Sequence, residues 1–151
     1  AFILGLPIAF SPFGVGSILL AFLLLHFITG LSISLVFQTA HIMPEVSFPQ
    51  ANENGIVEGE RMLHQLATTS NYSENSPLFS WMIGGLNYQV EHHLFPDVCH
   101  VHYRNIAPIV KATAAEYNIP YYTKKTFFDA LKAHAKMLYQ LGRLEMQPVK
   151  A

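Results

Sequence analysis

From Ala1 to Ala40 the chain carries no Asp, Glu, Lys or Arg, and its first charged side chain is Glu45. All nine Lys and Arg residues fall between Arg61 and Lys150. So sharp a break divides the chain between two solvents, hydrocarbon and then water. Inside the uncharged part, Ile18 to Phe37 reads ILLAFLLLHFITGLSISLVF. As a helix this stretch is about 30 Å long, the thickness of a hydrocarbon core. The core helix of a soluble protein is also apolar, but it rarely lacks charge on every face. Gly30, Ser32 and Ser34 are small enough to admit a second helix closely in lipid. Ile18–Phe37 is therefore expected to be one membrane-spanning helix.

Ala1 to Phe10 is apolar too, but at about 15 Å as a helix it is too short to cross a bilayer. It is expected to be the end of an interrupted span, separated from the next by the helix-breaking Ser11-Pro12-Phe13-Gly14. The start of the chain has no initiating Met, no basic stretch and no small-residue cleavage site, so it is not expected to be a signal peptide. Residues before Ala1 are expected in the parent protein. Two regions follow from this pattern: 1–40 in the membrane (the end of one span, then 18–37), and 41–151 in water. The net charge of −1 offers no basic field for nucleic acid. Basic residues near a span favour the cytoplasmic side, and Arg61 lies about twenty residues past the span, at the edge of that rule's reach. The polar region is expected to face the cytoplasm. Cys99 is the sole cysteine, which excludes an intramolecular disulfide.

The polar region is expected to be helical, giving an all-α fold. His41-Ile42-Met43-Pro44-Glu45 ends the long helix, because Pro44 disfavours helix at the residue before it. Val46 to Gly59 is irregular, Glu58 to Thr69 helical and Asn71 to Pro77 a loop. Leu78 to Leu86, apolar and aromatic, is expected to be a short helix on the membrane surface. In the tail, Ile106, Ile109, Val110, Ala114 and Tyr117 recur at helical spacing, with Pro108 tolerated in the first turn. Asn118-Ile119-Pro120 breaks the chain. Phe127, Phe128, Leu131, Ala135, Leu138 and Leu141 form a second apolar stripe, expected to pack a core.

The chemistry is concentrated in Asn87-Tyr88-Gln89-Val90-Glu91-His92-His93-Leu94-Phe95-Pro96. On a helix, Gln89 precedes His92 by three residues and His93 by four, so the three side chains can share a face. Two imidazoles there can bind a first-row transition metal. Glu91 points away from His92 by about 100° and is placed to support a ligand rather than to be one. By itself an adjacent histidine pair is more often solvated or satisfied than metal-bound.

This segment resembles the third histidine box of the membrane fatty-acid desaturases, in the front-end (delta-5/delta-6) form. That form carries Gln-x-x-His-His where most of the family carries His-x-x-His-His, and QVEHH at Gln89–His93 matches it. The flanking NYQVEHHLFP, the downstream HVHYRNIAPIVKATAAEYNIPY and the upstream HQLATTSNYSENSPLFSWMIGGLN are similar in order and spacing, so the likeness covers most of the chain. FQTAHIMPE places His41 where the family has a further iron ligand, just past the last long membrane helix. The resemblance thus implies a histidine-box di-iron fold of membrane helices and a helical cytosolic cap. Its metal set here is His41, His92 and His93, with Gln89 as a ligand or beside one. Gln38, one turn before His41, is a weaker candidate that would act through a metal-bound water.

The family inserts a cis double bond into an acyl chain, using oxygen, two iron ions and electrons from a cytochrome b-type or ferredoxin partner. The expected partners are therefore a fatty acyl substrate (acyl-CoA or acyl-lipid), the membrane and an electron-transfer protein. No catalytic group beyond the metal ligands is implied. The family's other boxes, His-x(3–4)-His and His-x(2–3)-His-His, do not occur in these residues. The chain alone is expected to be inactive, either as part of a larger enzyme or as a truncation product. A related histidine-box hydroxylase and a non-catalytic membrane-anchored regulator are the alternatives. His26, mid-span, is expected to stay neutral and bond another helix. His64 is expected at the surface, His134 in packing or at the surface, and His100 and His102 have no ligand spacing.

Overall fold

The computed structural model describes residues 2–57 and 59–143. Ala1 at the head of the apolar run, Glu58 at the expected helix start and the last eight residues of the expected cap lie outside the described residues. The chain is mostly helical, and its contacts divide it after Leu35 into two units.

The first unit holds α1 (Phe2–Phe10) and most of α2 (Val15–His41). The carbonyl of Gly14 accepts from the N–H groups of Ser17 and Ile18, which starts α2 three residues earlier than the apolar count alone gives. Its 27 residues make a rod of about 40 Å. Leu20, Leu23, Leu25 and Phe27 all stand exposed along it, an apolar surface of the kind that lipid solvates. Among the described residues it is the one helix long and apolar enough to cross a membrane. His26 Nδ1 lies 2.9 Å from the Phe22 carbonyl one turn earlier, a contact within α2.

The second unit begins with the last turns of α2. It continues through α3 (Arg61–Thr68), β1 (Ser70–Tyr72), α4 (Pro77–Met82), α5 (Gln89–Leu94), a single 3₁₀ turn (His100–His102), α6 (Tyr103–Glu116), β2 (Tyr122–Lys124) and α7 (Phe127–Gly142). The two strands correct the all-α expectation. They pair in parallel, Ser70 with Tyr122, Asn71 with Thr123 and Tyr72 with Lys124. Part of the segment expected as a loop is thus strand. Tyr and Thr favour extended backbone, and the N–H of Tyr72 also finds the Asn87 carbonyl at 3.1 Å, so β1 is satisfied on both edges.

Tyr72 is the centre of the core. Its ring meets Phe127 at 5.5 Å and Phe79 at 6.1 Å, with Ala40 and Ala130 filling the space around it. Its Oη donates to the Val36 carbonyl at 2.8 Å, and burial pushes the phenol pKa up to about 12, so it keeps the proton it donates. Two further ties hold the end of α2. The His134 ring bonds the Ile42 carbonyl at 2.9 Å, and Lys124 pairs with Glu45 at 2.7 Å.

The tail helices form where expected, and Ala114, Ile106 and Phe127 of the expected stripes are packed, but other stripe residues are not. On α6 the buried residues are Tyr103, Ala107 and Ala114, while Ile109 and Tyr117 are exposed. On α7 they are Ala130 and His134, and Phe128 and Leu138 are exposed. Alanine admits close approach, so small residues share these contacts with Tyr103, Phe127 and His134. His134 is packed, only 7 % exposed.

Gly84 and Gly85, between α4 and α5, both have positive φ, +61° and +73°. A Cβ on Gly85 would stand 3.0 Å from the His100 Cβ, whereas one on Gly84 would meet nothing within 4 Å. Gly84→Ala is expected to cost about 1–2 kcal/mol for its backbone conformation. Gly85→Ala is expected to cost more, through the added collision. Thermal unfolding of the two variants checks this, and equal shifts would contradict the close approach at His100.

Candidate functional site

Helix α5 has only six residues, too few to be stable by its own hydrogen bonds. A buried polar network holds it in place. Asn71 on β1 accepts the Val90 N–H at 2.9 Å and donates through Nδ2 to Glu91 Oε2 at 2.7 Å. Tyr121, just before β2, donates to Glu91 Oε1 at 2.9 Å. Glu74 completes the cluster: it takes Thr123 Oγ1 at 2.6 Å and lies 3.2 Å from Asn71 Nδ2. The Glu91 side chain is fully buried. Burial raises its pKa, and the bonds from Asn71 and Tyr121 act against that rise. The Tyr121 phenol is also raised, first by burial and then by the two carboxylates beside it, so it remains a donor.

With Glu91 turned into this network, the histidines are left to face the end of α2. His93 Nε2 lies 3.2 Å from His41 Nε2, and the two rings meet edge to face with centroids 5.0 Å apart. His92 is adjacent, its ring centroid 5.4 Å from that of His93. His41 Nδ1 lies 3.4 Å from the Thr68 carbonyl. Since a carbonyl only accepts, that contact puts the His41 proton on Nδ1 and leaves the Nε2 lone pair turned toward His93. His92 Nδ1 is 3.5 Å from the Tyr103 hydroxyl, an arrangement that can likewise free His92 Nε2. Burial, then the neighbouring His41, His92 and Arg61, lower the pKa of His93 to about 4. It is neutral near pH 7, the form that binds a metal.

Gln89 is fully buried behind the pair. Its amide interacts electrostatically with His41, yet among the described residues neither its Oε1 nor its Nε2 has a hydrogen bond of ordinary length. A small cavity of about 240 Å³, lined by Arg61, Gln65, His93 and Asp97 among others, opens beside His93. A larger apolar hollow in the first unit, with Ile3, Phe13 and Phe22 in its wall, has no group that could bind a metal.

The structure thus gathers His41, His92, His93 and Gln89 from the residues expected to act. Gln38 stands exposed, whereas its neighbours Thr39 and Ala40 are buried. His64 is half-buried, and His100 and His102 are exposed. Among the described residues no group of three or more His, Cys, Asp or Glu is arranged to hold a metal by itself. The supporting residues Asn71, Glu74, Tyr103 and Tyr121 escape sequence reasoning. The run Tyr121-Tyr122-Thr123 is rich in strand formers and was the one available signal for β2.

A sequence model described as fatty acid desaturase matches residues 1–125. An acyl-lipid (8-3)-desaturase of Physcomitrium patens is 41 % identical over 142 residues, covering 94 % of this chain and 29 % of the relative. One of the same name from Mortierella alpina is 38 % identical, covering 90 % of the chain and 30 % of the relative. A sn-1 linoleoyl-lipid 6-desaturase of Synechocystis sp. is 32 % identical, covering 94 % and 40 %. The chain spans about a third of the length of these relatives. No solved structure matches it.

Asn71→Ala would strip Glu91 of one donor and the Val90 N–H of its acceptor. It is expected to cost at least about 2 kcal/mol, whereas Tyr121→Phe, which removes one donor, should cost about 1–2 kcal/mol. Unfolding midpoints measure both. A smaller loss for Asn71→Ala than for Tyr121→Phe would contradict the central place of Asn71.

Proposed function

The chain belongs to the fatty acid desaturase family, and we propose that it is the carboxy-terminal part of a front-end desaturase. The whole protein inserts a cis double bond into an acyl chain with oxygen and electrons. An acyl-lipid substrate is favoured over acyl-CoA, because the relatives are named for acyl-lipid and linoleoyl-lipid desaturation. Residues 1–40 lie in the bilayer and 41–151 on its cytoplasmic side, where a cytochrome b-type or ferredoxin partner delivers electrons.

The observation that carries this reading is the convergence of His41 and His93, 3.2 Å apart at Nε2, from the end of α2 and from α5. Two imidazole nitrogens each about 2.1 Å from one metal ion are separated by a distance of this order. Neutral His93, the His41 proton held on Nδ1 and the buried Gln89 amide beside His41 all suit an iron site. The residues present therefore fit part of a di-iron centre, with His41, His92 and His93 as ligands and the remaining ligands supplied by residues beyond this sequence. Gln89 ligates weakly or hydrogen-bonds a ligand, and Gln38 acts at most through a water. Iron, when bound, supplies the oxygen-dependent oxidation of an unactivated methylene. The chain's own part is to hold the imidazoles in register through Asn71, Glu91 and Tyr121, to fix His41 through the Thr68 carbonyl, and to keep water from the buried side of the site.

In the complete protein, His92→Ala or His93→Ala is expected to abolish double-bond formation and to lower bound iron, while His64→Ala leaves both largely intact. Gas chromatography of acyl products and metal analysis measure them, and wild-type turnover in either box variant would remove the histidines from the site. Gln89→His should fit, because the side chains have similar reach, while exchanging a neutral amide for a titratable ligand. Gln89→Ala should lower turnover more, since it leaves a void and a missing polar contact. Full activity in Gln89→Ala would make the residue a bystander.

A further inference from the structure

We propose that α4 is a membrane anchor lying in the plane of the lipid–water interface, with Leu78, Trp81 and Met82 inserted among the lipids beside the end of α2. The inference concerns lipid contact alone and does not depend on the metal site.

Leu78, Trp81 and Met82 stand at i, i+3 and i+4, so they share one face of the helix. They are 68 %, 79 % and 67 % exposed. A separate face of α4 carries Phe79, with Ile83 just past the helix end, and both pack against the Tyr72 core. The helix therefore has a core face and a second apolar face that the chain leaves uncovered. No charged residue occurs between Glu74 and Glu91. The backbone at the start of α4 is satisfied locally: Ser76 Oγ accepts the Phe79 N–H, and Ser80 Oγ donates to the Ser76 carbonyl. A helix end without such bonds would be costly at an apolar surface.

Depth identifies the occupant as lipid. Phe79 stacks on Tyr72, and Tyr72 Oη bonds the carbonyl of Val36, inside the uncharged run of α2. Val36 precedes His41 by five residues, or about 7.5 Å along the helix. Alpha4 is thereby packed beside the last apolar turns of α2, where the hydrocarbon gives way to the headgroup layer. Phe37, next to Val36 on α2, is exposed and apolar as well. Tryptophan is the side chain most suited to that boundary, having a broad apolar ring and one N–H donor.

The test uses the complete protein in phosphatidylcholine vesicles. Trp81 fluorescence is taken as the difference between the wild type and Trp81→Phe. We expect this component to be quenched more by lipid brominated close to the headgroup than by lipid brominated at the chain end, and little by aqueous iodide. Quenching by iodide and not by brominated lipid would overturn the proposal, because the face would then be in water. Quenching by neither would also overturn it, because another protein surface would then cover the helix. A nitroxide on Met82→Cys gives an independent depth: faster relaxation by oxygen than by an aqueous nickel chelate supports insertion, and the reverse order overturns it.

Discussion

Glu91 has no exposed surface, and its carboxylate is held by Asn71 on one oxygen and Tyr121 on the other. A buried carboxylate is tolerated only with such partners, so the contact fixes all the elements that supply it. Asn71 brings β1, Tyr121 brings the approach to β2, and Glu91 brings α5. The parallel ladder then joins segments fifty residues apart in sequence. Helix α5 is too short to orient its own side chains, and this network orients them. With Glu91 turned inward, His92 and His93 are directed toward the end of α2.

The second constraint is the position of that end. A helix that leaves a bilayer does not by itself present its last residue to a particular partner. Here Tyr72 holds Val36, His134 holds Ile42 and Lys124 holds Glu45. The ties from Tyr72 and Lys124 come from β1 and β2, the strands whose ladder also fixes α5, and His134 adds one from α7. His41 and His93 converge because both are referred to one small scaffold. The metal site proposed here would therefore be sensitive to changes in the ladder, although no ladder residue is a proposed ligand.

The long helix was legible because the absence of charge over Ile18–Phe37 leaves one solution in lipid. Its end at His41 was legible from Pro44, but its first turn was not, since it depends on the Gly14 carbonyl, a local contact that a hydropathy pattern does not carry. The sequence context singled out Gln89, His92, His93 and His41 as a group. Their geometry was not legible, because it rests on Asn71 and Tyr121, polar residues thirty and eighty positions from His41 with no motif of their own. The apolar stripes of α6 and α7 predicted the helices and part of their packed faces: Ala114 is buried, and Ile106 and Phe127 pack against buried clusters. Close packing selected Ala107, Ala114 and Ala130 for burial, while Ile109, Phe128 and Leu138 stayed outside. Glu91 was expected to support a ligand, and the network around it shows how it positions the box helix.

The central claim is that His41 and His93 act on the same iron. Iron binding by the complete protein with His41→Ala, with His93→Ala and with both together tests it directly. Two ligands of one ion are strongly coupled, so either single change should release the same iron and the double variant should lose no more than the singles. Independent, additive losses in the double variant would contradict a shared site.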